Sequence, residues 1–477
     1  MTGLPMTYDV TLPLGAPLAA GSIGSFPIIL LGFAIILALA LVGRFIMARL
    51  GQPGVLGEIG MGILLGNIGV ALAVPAIEIV AQMDQVSQVI DTMLEENVSL
   101  TVASRQVLTL ARPEAADDAA HITDLLNGPD GSLLLALGQA ARLFSNLGVV
   151  LLMFMTGLKA TVGKLAASGS SALSVAAAGA VLPFGAVFGV SWAMRADEPL
   201  VAHMFLGALF VDTILGLTAR VFGDAEQADS REAQVVLGAG VMDQVLMLIL
   251  IAVLSTMART SEPSWGEIGS VAGLALVYVG ILTVFGEKLV RFIVPLFDRL
   301  DFRSGRFLFA LALVFTLAWL AALSGISAVM GGFAAGLILN EARLPAAEGG
   351  RTVRERVEPV EGLFSPVFFV LVGMQVDMTA FGNPDALMLA GGLLVAGLAS
   401  KYVAGLVAGG GVSRKIVGIA MMPRGGTTLI FAGIGRELDL INDEVFAALA
   451  IFVIISMIVT GSLLQKALAA RGATAAS

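Results

Sequence analysis

Six ionisable residues lie inside long apolar stretches of the sequence, where a charge is costly. They are Glu58, Arg142, Asp212, Asp243, Lys401 and Arg424. In the stretch LGAGVMDQVLMLIL (237–250), Asp243 and Gln244 follow one another between apolar residues. A carboxylate at the centre of a lipid bilayer costs about 3 kcal/mol on insertion scales, and such residues usually pair, face protein or water, and mark ion pathways. These six positions are therefore the candidates for chemistry.

The composition places these residues in a membrane. Of the 477 residues, 57% are hydrophobic and 13% are charged, whereas a soluble protein carries roughly 25% charged residues. Many apolar runs reach the ~20 residues that cross a hydrocarbon core, and they are too continuous for barrel strands. We therefore predict an all-α polytopic membrane protein. The absence of cysteine excludes disulfides, and the two histidines, His121 and His203, make a histidine metal site improbable.

Hydropathy predicts thirteen membrane spans. Their residues are 26–48, 55–80, 133–157, 168–194, 200–222, 234–257, 266–295, 306–324, 326–341, 363–378, 385–410, 415–435 and 443–468. With the N-terminus outside, eighteen basic residues fall on the cytoplasmic side and five fall opposite. Because basic residues are enriched in cytoplasmic loops, we predict an external N-terminus and a cytoplasmic C-terminus.

Residues 81–132 form a polar insert between predicted spans two and three. They carry nine acidic and two basic residues, and the predicted topology makes the insert extracytoplasmic. Apolar residues spaced as in Val86, Ile90 and Met93 indicate short amphipathic helices. Two interpretations remain open: a solvated acidic cap, or a surface that binds a partner or stabilises a dimer.

Asp243 and Lys401 lie near the middle of predicted spans six and eleven. A buried pair of opposite charges removes the net charge from the bilayer, so we predict that these two residues pair. The pairing is compatible with a purely structural role and with a direct role in transport.

Two predicted spans carry signals of a broken helix. In MMPRGGTTLIFAG (421–433), Pro423 lacks a backbone donor and Gly425-Gly426 is permissive, which predicts a break beside Arg424. In FLGALFVDTILGLTARVFG (205–223), Asp212 and Thr213 lie at the midpoint of the span. If spans 1–6 and 8–13 are inverted repeats joined by span seven, the two breaks occupy equivalent places, which indicates a transport site. The alternative is a structural kink alone.

Several blocks, in this order, resemble the monovalent cation:proton antiporter superfamily, in its bacterial sodium/proton and potassium/proton branch. The blocks are GQPGVLGEIGMGILLGNIG (51–69), LGVVLLMFMTGLKATVGKL (147–165), DTILGLTARVFGD (212–224), QVVLGAGVMDQVLMLILIA (234–252), FSPVFFVLVGMQVDM (364–378), the Lys401 helix and MMPRGGTTLIFAGIG (421–435). The resemblance covers residues 26–80 and 133–468. The polar insert lies outside it.

The resemblance implies a division of labour among the helices. After an N-terminal segment (1–25), the panel and dimerisation helices would be 26–80, 133–157 and 306–378, the core helices 168–257 and 385–468, and the linker helix 266–295. Broken helices five and twelve would cross in the core. The resemblance also implies exchange of Na⁺, K⁺ or Li⁺ for protons in the bacterial cytoplasmic membrane by a homodimer. It implies neither a cofactor nor an enzymatic reaction.

The sequence departs from the family at the site itself. The family usually has two adjacent acids, or an amide followed by an acid, where this chain has Asp243-Gln244. An amide cannot bind and release a proton in the needed range. An acid, Asp212, stands where the family has a small neutral residue, and Gly426 stands where it often has Glu.

These departures lead to a specific assignment of roles. We predict an ion and proton site of Asp212, Thr213, Asp243 and Gln244, with Lys401 and Arg424 as charge partners. The monovalent cation would be bound by Asp212, Thr213 and Gln244. Asp243 would mainly balance charge, while Asp212 would take the exchanging role left vacant at Gln244. The alternative for Asp212 is a pairing with Arg424 or a helix cap.

Two other functions fit the same sequence. One is transport or symport of another solute on the same frame, because a fold does not fix a function. The other is a non-transporting membrane sensor or assembly protein that uses the acidic insert.

Overall fold

The protein is all-helical throughout the part of the chain that the structure describes. This computed structural model describes residues 25–50, 52–96, 98–111, 116–159, 169–227, 230–259, 305–323, 327–339, 352–376 and 378–476. Predicted span seven (266–295) and residues 1–24 of the N-terminal segment lie outside the described residues. No strand occurs in the described ranges, and the predicted all-α class is confirmed.

Eighteen α-helices are described. They are α1 (Ser25–Arg49), α2 (Gly54–Ala71), α3 (Pro75–Ala81), α4 (Met83–Glu95), α5 (Leu100–Ala111), α6 (Ala116–Asn127), α7 (Gly131–Lys159), α8 (Gly169–Met194), α9 (Leu200–Leu209), α10 (Leu215–Asp224), α11 (Arg231–Arg259), α12 (Gly305–Leu323), α13 (Ala328–Ile338), α14 (Val353–Met374), α15 (Pro384–Leu406), α16 (Arg414–Met421), α17 (Gly426–Glu437) and α18 (Asp443–Ala476). A 3₁₀-helix covers Met378–Gly382.

Nine of the described helices are long and apolar enough to cross a membrane, and the bent pair α16–α17 makes a tenth. A helix needs about 20 apolar residues to cross the hydrocarbon core. The chain is therefore a multi-pass membrane protein. The inverted repeats stay a prediction.

The chain divides into two compact units, Met1–Ala38 with Gly69–Leu143, and Leu39–Ile68 with Phe144–Ser477. The first unit contains the polar insert. Its predicted short helices are confirmed as α4, α5 and α6. Helices α4 and α6 share a small apolar core with Ile79 of α3 and Leu134 of α7. A hydrogen bond of 2.8 Å joins His121 Nε2 to Glu78 Oε2.

The prediction of one continuous span at 55–80 is wrong. Helix α2 ends at Ala71, and α3 begins at Pro75. Proline has no backbone donor and disfavours the helical conformation in the residue before it. Val74 is extended, with φ −87° and ψ 105°, and Ala73 has a positive φ of 49°. The chain therefore leaves the helix before Pro75. The apolar residues continue through this break, so hydropathy alone did not predict it.

The predicted bounds of span ten, 363–378, are also wrong. Helix α14 begins at Val353 and ends at Met374. Thr352 accepts a hydrogen bond from the Glu355 backbone, and the Glu355 side chain accepts one from the Thr352 backbone. This reciprocal capping starts the helix within a charged segment, so the helix extends beyond the apolar run from which the span was predicted.

Glycines in the second unit, among them Gly62 and Gly66, allow helices to touch through their backbones. A Cβ at Gly62 would lie 2.1 Å from the Val370 carbonyl oxygen, and one at Gly66 would lie 2.4 Å from that of Met374. Small residues permit such close packing of membrane helices. Helices α2 and α14 therefore meet along this face.

Candidate ion site at two broken helices

The first predicted break is present at Asp212 and Thr213. Helix α9 ends at Leu209 and α10 begins at Leu215. Two backbone hydrogen bonds that each span three residues end α9. They run from Phe210 N–H to Gly207 O and from Val211 N–H to Ala208 O, both at 3.1 Å. Residues 212–214 are then unwound. Just before them, the carbonyl oxygens of Val211 and Phe210 accept hydrogen bonds from the Lys401 and Arg424 side chains.

The second predicted break lies between α16 and α17. The two helices meet at an angle of 41° across residues 422–425. Pro423 cannot donate a backbone hydrogen bond, and Gly425 is extended, with φ −134° and ψ −165°. The proline and the glycine therefore explain why this membrane helix stops and restarts.

The two breaks pack directly against each other. The Ile214 backbone donates a hydrogen bond to Pro423 O at 3.3 Å. The Thr218 hydroxyl donates to Ala420 O at 3.1 Å, and a Cβ at Gly425 would lie 2.3 Å from the Ile214 side chain. Unwound backbone is tolerated at membrane depth only when it is buried in protein or lines a cavity. Each break thus satisfies groups that the other leaves free.

The predicted pairing of Asp243 with Lys401 is confirmed. Both side chains are completely buried, and Lys401 Nζ forms an ion pair with Asp243 Oδ2. Lys401 also donates to the carbonyl oxygen of Val211 at 2.7 Å. The ammonium therefore joins α15 and α11 to the first break. It also neutralises the Asp243 carboxylate, which would be costly to bury alone in the membrane.

Thr213 belongs to the Asp243 side of the site, whereas the sequence analysis grouped it with Asp212. Its hydroxyl donates to Asp243 Oδ2 at 3.0 Å. Arg424 binds the same region from the second break, through Nη2 to Phe210 O at 2.5 Å and Nη1 to Thr213 Oγ1 at 3.5 Å. Arg424 thus reaches across to the first break, where it caps α9 at its carbonyl end.

Asp212 contacts the N-terminal end of α17, the half-helix that follows the second break. Its Oδ2 accepts a hydrogen bond from the hydroxyl of Thr427, in the first turn of α17. The side chain is 1% exposed, and Oδ1 is buried without a hydrogen-bond partner. Among the ion pairs of the described residues, none joins Asp212 to Arg424. Sequence reasoning missed Thr427, although its place directly after Gly425-Gly426 marks it as the start of a half-helix.

Gln244 is 5% exposed, one residue beyond Asp243 on α11. The described residues include no hydrogen-bond partner for its side chain. Its role as a cation ligand stays a prediction.

Comparison with known proteins decides the family. Residues 35–470 match the family model described as "Sodium/hydrogen exchanger, transmembrane". The chain belongs to this family. It is therefore a membrane transporter that exchanges a monovalent cation for protons.

Individual relatives agree with this assignment. The chain is 28% identical to the high-affinity Na⁺/H⁺ antiporter NhaS3 of Synechocystis sp., over 90% of this chain and 88% of that protein. It is 30% identical to the Na⁺/H⁺-K⁺ antiporter GerN of Bacillus cereus, over 69% and 83%. The solved structure of the sodium proton antiporter MjNhaP1 from Methanocaldococcus jannaschii at pH 8 shares the fold, with 14% identity, a TM-score of 0.58 and coverage of 94% and 98%.

Gly179 of α8 makes room for the ion pair in this exchanger. A Cβ at this position would lie 3.1 Å from Lys401 Nζ and 3.2 and 3.3 Å from the two Asp243 carboxylate oxygens. A side chain here would therefore press on both charged groups. The sequence gives no signal for this role, because Gly179 is one of 57 glycines.

The exchanger holds two acids and two bases around its two packed breaks. Three of their buried atoms lack a hydrogen-bond partner: Asp212 Oδ1, Asp243 Oδ1 and Arg424 Nε. Carboxylate oxygens are suitable ligands for hard cations. No group of three or more His, Cys, Asp or Glu residues is gathered as for a metal among the described residues. A cation here would need hydroxyl, amide or carbonyl oxygens beside a single free carboxylate.

Glu58 does not join this group. It is fully buried and forms an ion pair with Arg44 of α1. The pair links two neighbouring helices, α1 and α2, whereas the site is built from α8–α11 and α15–α17. Arg142 lies in the first unit.

Proposed function

We propose that the chain exchanges Na⁺ or K⁺ for protons, and that Asp212 is the carboxylate that holds the cation and the proton in turn. One observation carries the proposal: Asp212 is buried with one oxygen free, while Asp243 is neutralised by Lys401. The printed names of NhaS3 and GerN, which include Na⁺ and K⁺, support this choice of cations.

The coupling follows from charge. A carboxylate in a desolvated site must be neutralised, and either a proton or a hard cation achieves this. Because the two compete for the same oxygens, cation entry releases the proton and protonation releases the cation. This competition couples the two fluxes in opposite directions, and the ion and proton gradients drive them.

The proposed ligand set keeps Asp212 and Gln244 and adds Thr427. Thr427 already contacts Asp212, whereas Thr213 is engaged with Asp243. Asp212 also lies beside the first turn of α17, where the unsatisfied backbone N–H groups carry positive partial charge. This arrangement tolerates the ionised carboxylate after the cation leaves.

The experiment is ion flux in proteoliposomes with an imposed pH gradient. Addition of Na⁺ or K⁺ should dissipate the gradient, and addition of choline at equal concentration should not. If no alkali cation moves protons while another solute does, the symporter alternative is supported instead. If nothing moves, the sensor alternative is supported.

We also propose a moving core of α8–α11 and α15–α18 against panel helices. The hydrogen bonds and ion pairs of the candidate site, among the described residues, lie within these two helix groups, which supports the division. The proposal further includes a homodimer, which the molecular mass of the detergent-solubilised protein would test.

The orientation proposed is N-terminus outside and C-terminus inside, in a bacterial cytoplasmic membrane. It rests on the excess of basic residues on one side. Protease added to intact spheroplasts should cleave within the acidic insert (81–132), while a tag after Ser477 should be cut only after lysis. Cleavage of the insert only from the cytoplasmic side would reverse the orientation.

A further inference from the structure

A cavity of about 550 Å³ lies at the N-terminal end of α11, away from the two breaks. Its walls come from the first turn of α11, the segment before α16 with the first turn of α16, and the last turns of α18. Under the proposed topology this is the cytoplasmic end of the three helices. The site described above does not use it.

Glu232 lines the cavity, and hydrogen-bond donors already compensate its negative charge. The side chain is 1% exposed. It accepts hydrogen bonds from the Ser413 backbone and from Arg471 Nη1, each at 2.7 Å. These contacts hold the three walls together. They also remove most of the repulsion that this carboxylate would exert on an anion.

The walls carry positive charge that no described residue neutralises. Lys415 lines the cavity and is exposed. The Arg231 guanidinium lies at its edge, with Nη1 3.1 Å from the Cβ position of Gly411, which also lines the cavity. Neither side chain has an ion-pair partner among the described residues. With Arg471, three basic residues therefore line or border the cavity, against one compensated acid.

The remaining lining is apolar and lies against the last membrane helix. Val412, Ile416 and Ala467 contribute to it. A phosphate group suits this surface, because Arg and Lys bind phosphate oxygens through charge-assisted hydrogen bonds. Basic residues at a cytoplasmic membrane surface also attract anionic headgroups.

We propose that this cavity binds a phosphate-bearing anion through Lys415 and Arg231, with Arg471 holding the cavity in shape. The anion would link the start of the Asp243 helix to α16, which leads into the second break, and to α18. Binding would therefore stabilise the arrangement of these three helices. The inference does not rest on the proposed exchange chemistry, because its test measures stability.

The experiment is thermal unfolding of the purified full chain in lipid nanodiscs, with two arms. One arm compares phosphatidylglycerol with phosphatidylcholine, and the other adds inorganic pyrophosphate to the phosphatidylcholine discs. A ligand that binds the folded state raises the unfolding midpoint. We expect a rise of several degrees in at least one arm, which the Lys415→Gln/Arg231→Gln double variant loses. Lys466→Gln is the matched control, because Lys466 is an exposed base of α18 outside the cavity lining.

Each outcome of this experiment either identifies the ligand or overturns the proposal. A rise only with phosphatidylglycerol identifies a lipid headgroup, and a rise with pyrophosphate identifies a soluble phosphate. The proposal is overturned if neither arm raises the midpoint, if the double variant keeps the rise, or if Lys466→Gln loses it equally. Lys415→Gln alone, at an exposed position, provides the same comparison should the double variant not fold.

Discussion

We expect Asp212→Asn to abolish proton-coupled cation flux while the protein stays folded and in the membrane. Asparagine keeps the size of the side chain and an oxygen that accepts from Thr427, but it cannot bind and release a proton. Since Asp243 is paired with Lys401, the described residues offer no other unpaired carboxylate at the two breaks to replace it. The measurement is flux in proteoliposomes under an imposed pH gradient, with amount and folding checked by gel filtration.

Two variants sharpen this test. Asp385→Asn removes the same charge at an exposed position in the first turn of α15, and we expect normal flux. Gln244→Asp adds a second titratable group beside Asp243, so it should change selectivity or the number of protons exchanged without being required for exchange. Normal transport by Asp212→Asn would refute the assignment and direct attention to Asp243 and its free Oδ1.

We expect Asp243→Asn to lower the stability of the protein strongly, and Lys401→Met in the same background to restore part of it. Removing one partner of a buried ion pair leaves an uncompensated charge and costs roughly 3–5 kcal/mol. Removing the second partner eliminates that charge. The completely buried ion pair between Asp243 and Lys401 is the basis for this expectation.

The measurement is a double-mutant cycle on thermal unfolding in detergent, because the cycle isolates the coupling between two residues. Additive effects of the two substitutions would refute the energetic coupling even though the groups are in contact. Thr460→Val is a useful comparison, since its buried hydroxyl bonds only within its own helix at Ser456. We expect that variant to be additive with Lys401→Met.

These two experiments separate the roles of the two acids. Loss of flux without a large loss of stability is expected at Asp212, because Oδ1 makes no hydrogen bond and asparagine keeps an acceptor for Thr427. Loss of stability is expected at Asp243, whose Oδ2 is bound by both Lys401 and Thr213. If Asp212→Asn and Asp243→Asn had the same effects on flux and on stability, the two carboxylates would share one role.

The sequence alone determined the features that local chemistry and bilayer energetics fix. Continuous apolar runs predict helices because the membrane leaves backbone groups no other partners. Pro423 with Gly425-Gly426 predicts the second break, since proline removes a donor wherever the chain folds. Asp243 and Lys401 could be paired from their depth alone, because a lone buried charge is too costly to leave unpaired. The family followed from the order of the blocks.

Only the tertiary structure decided which neighbour each polar group binds. Asp212 and Thr213 are adjacent in an unwound segment, so their side chains point to different partners, Thr427 and Asp243. No periodicity predicts those directions, because residues 212–214 belong to no helix and their orientation is set by the second break packed against them. The role of Gly179 depends on the packing of α8 against the ion pair. The absence of a side chain matters there because Lys401 and Asp243 occupy the space that a side chain would need.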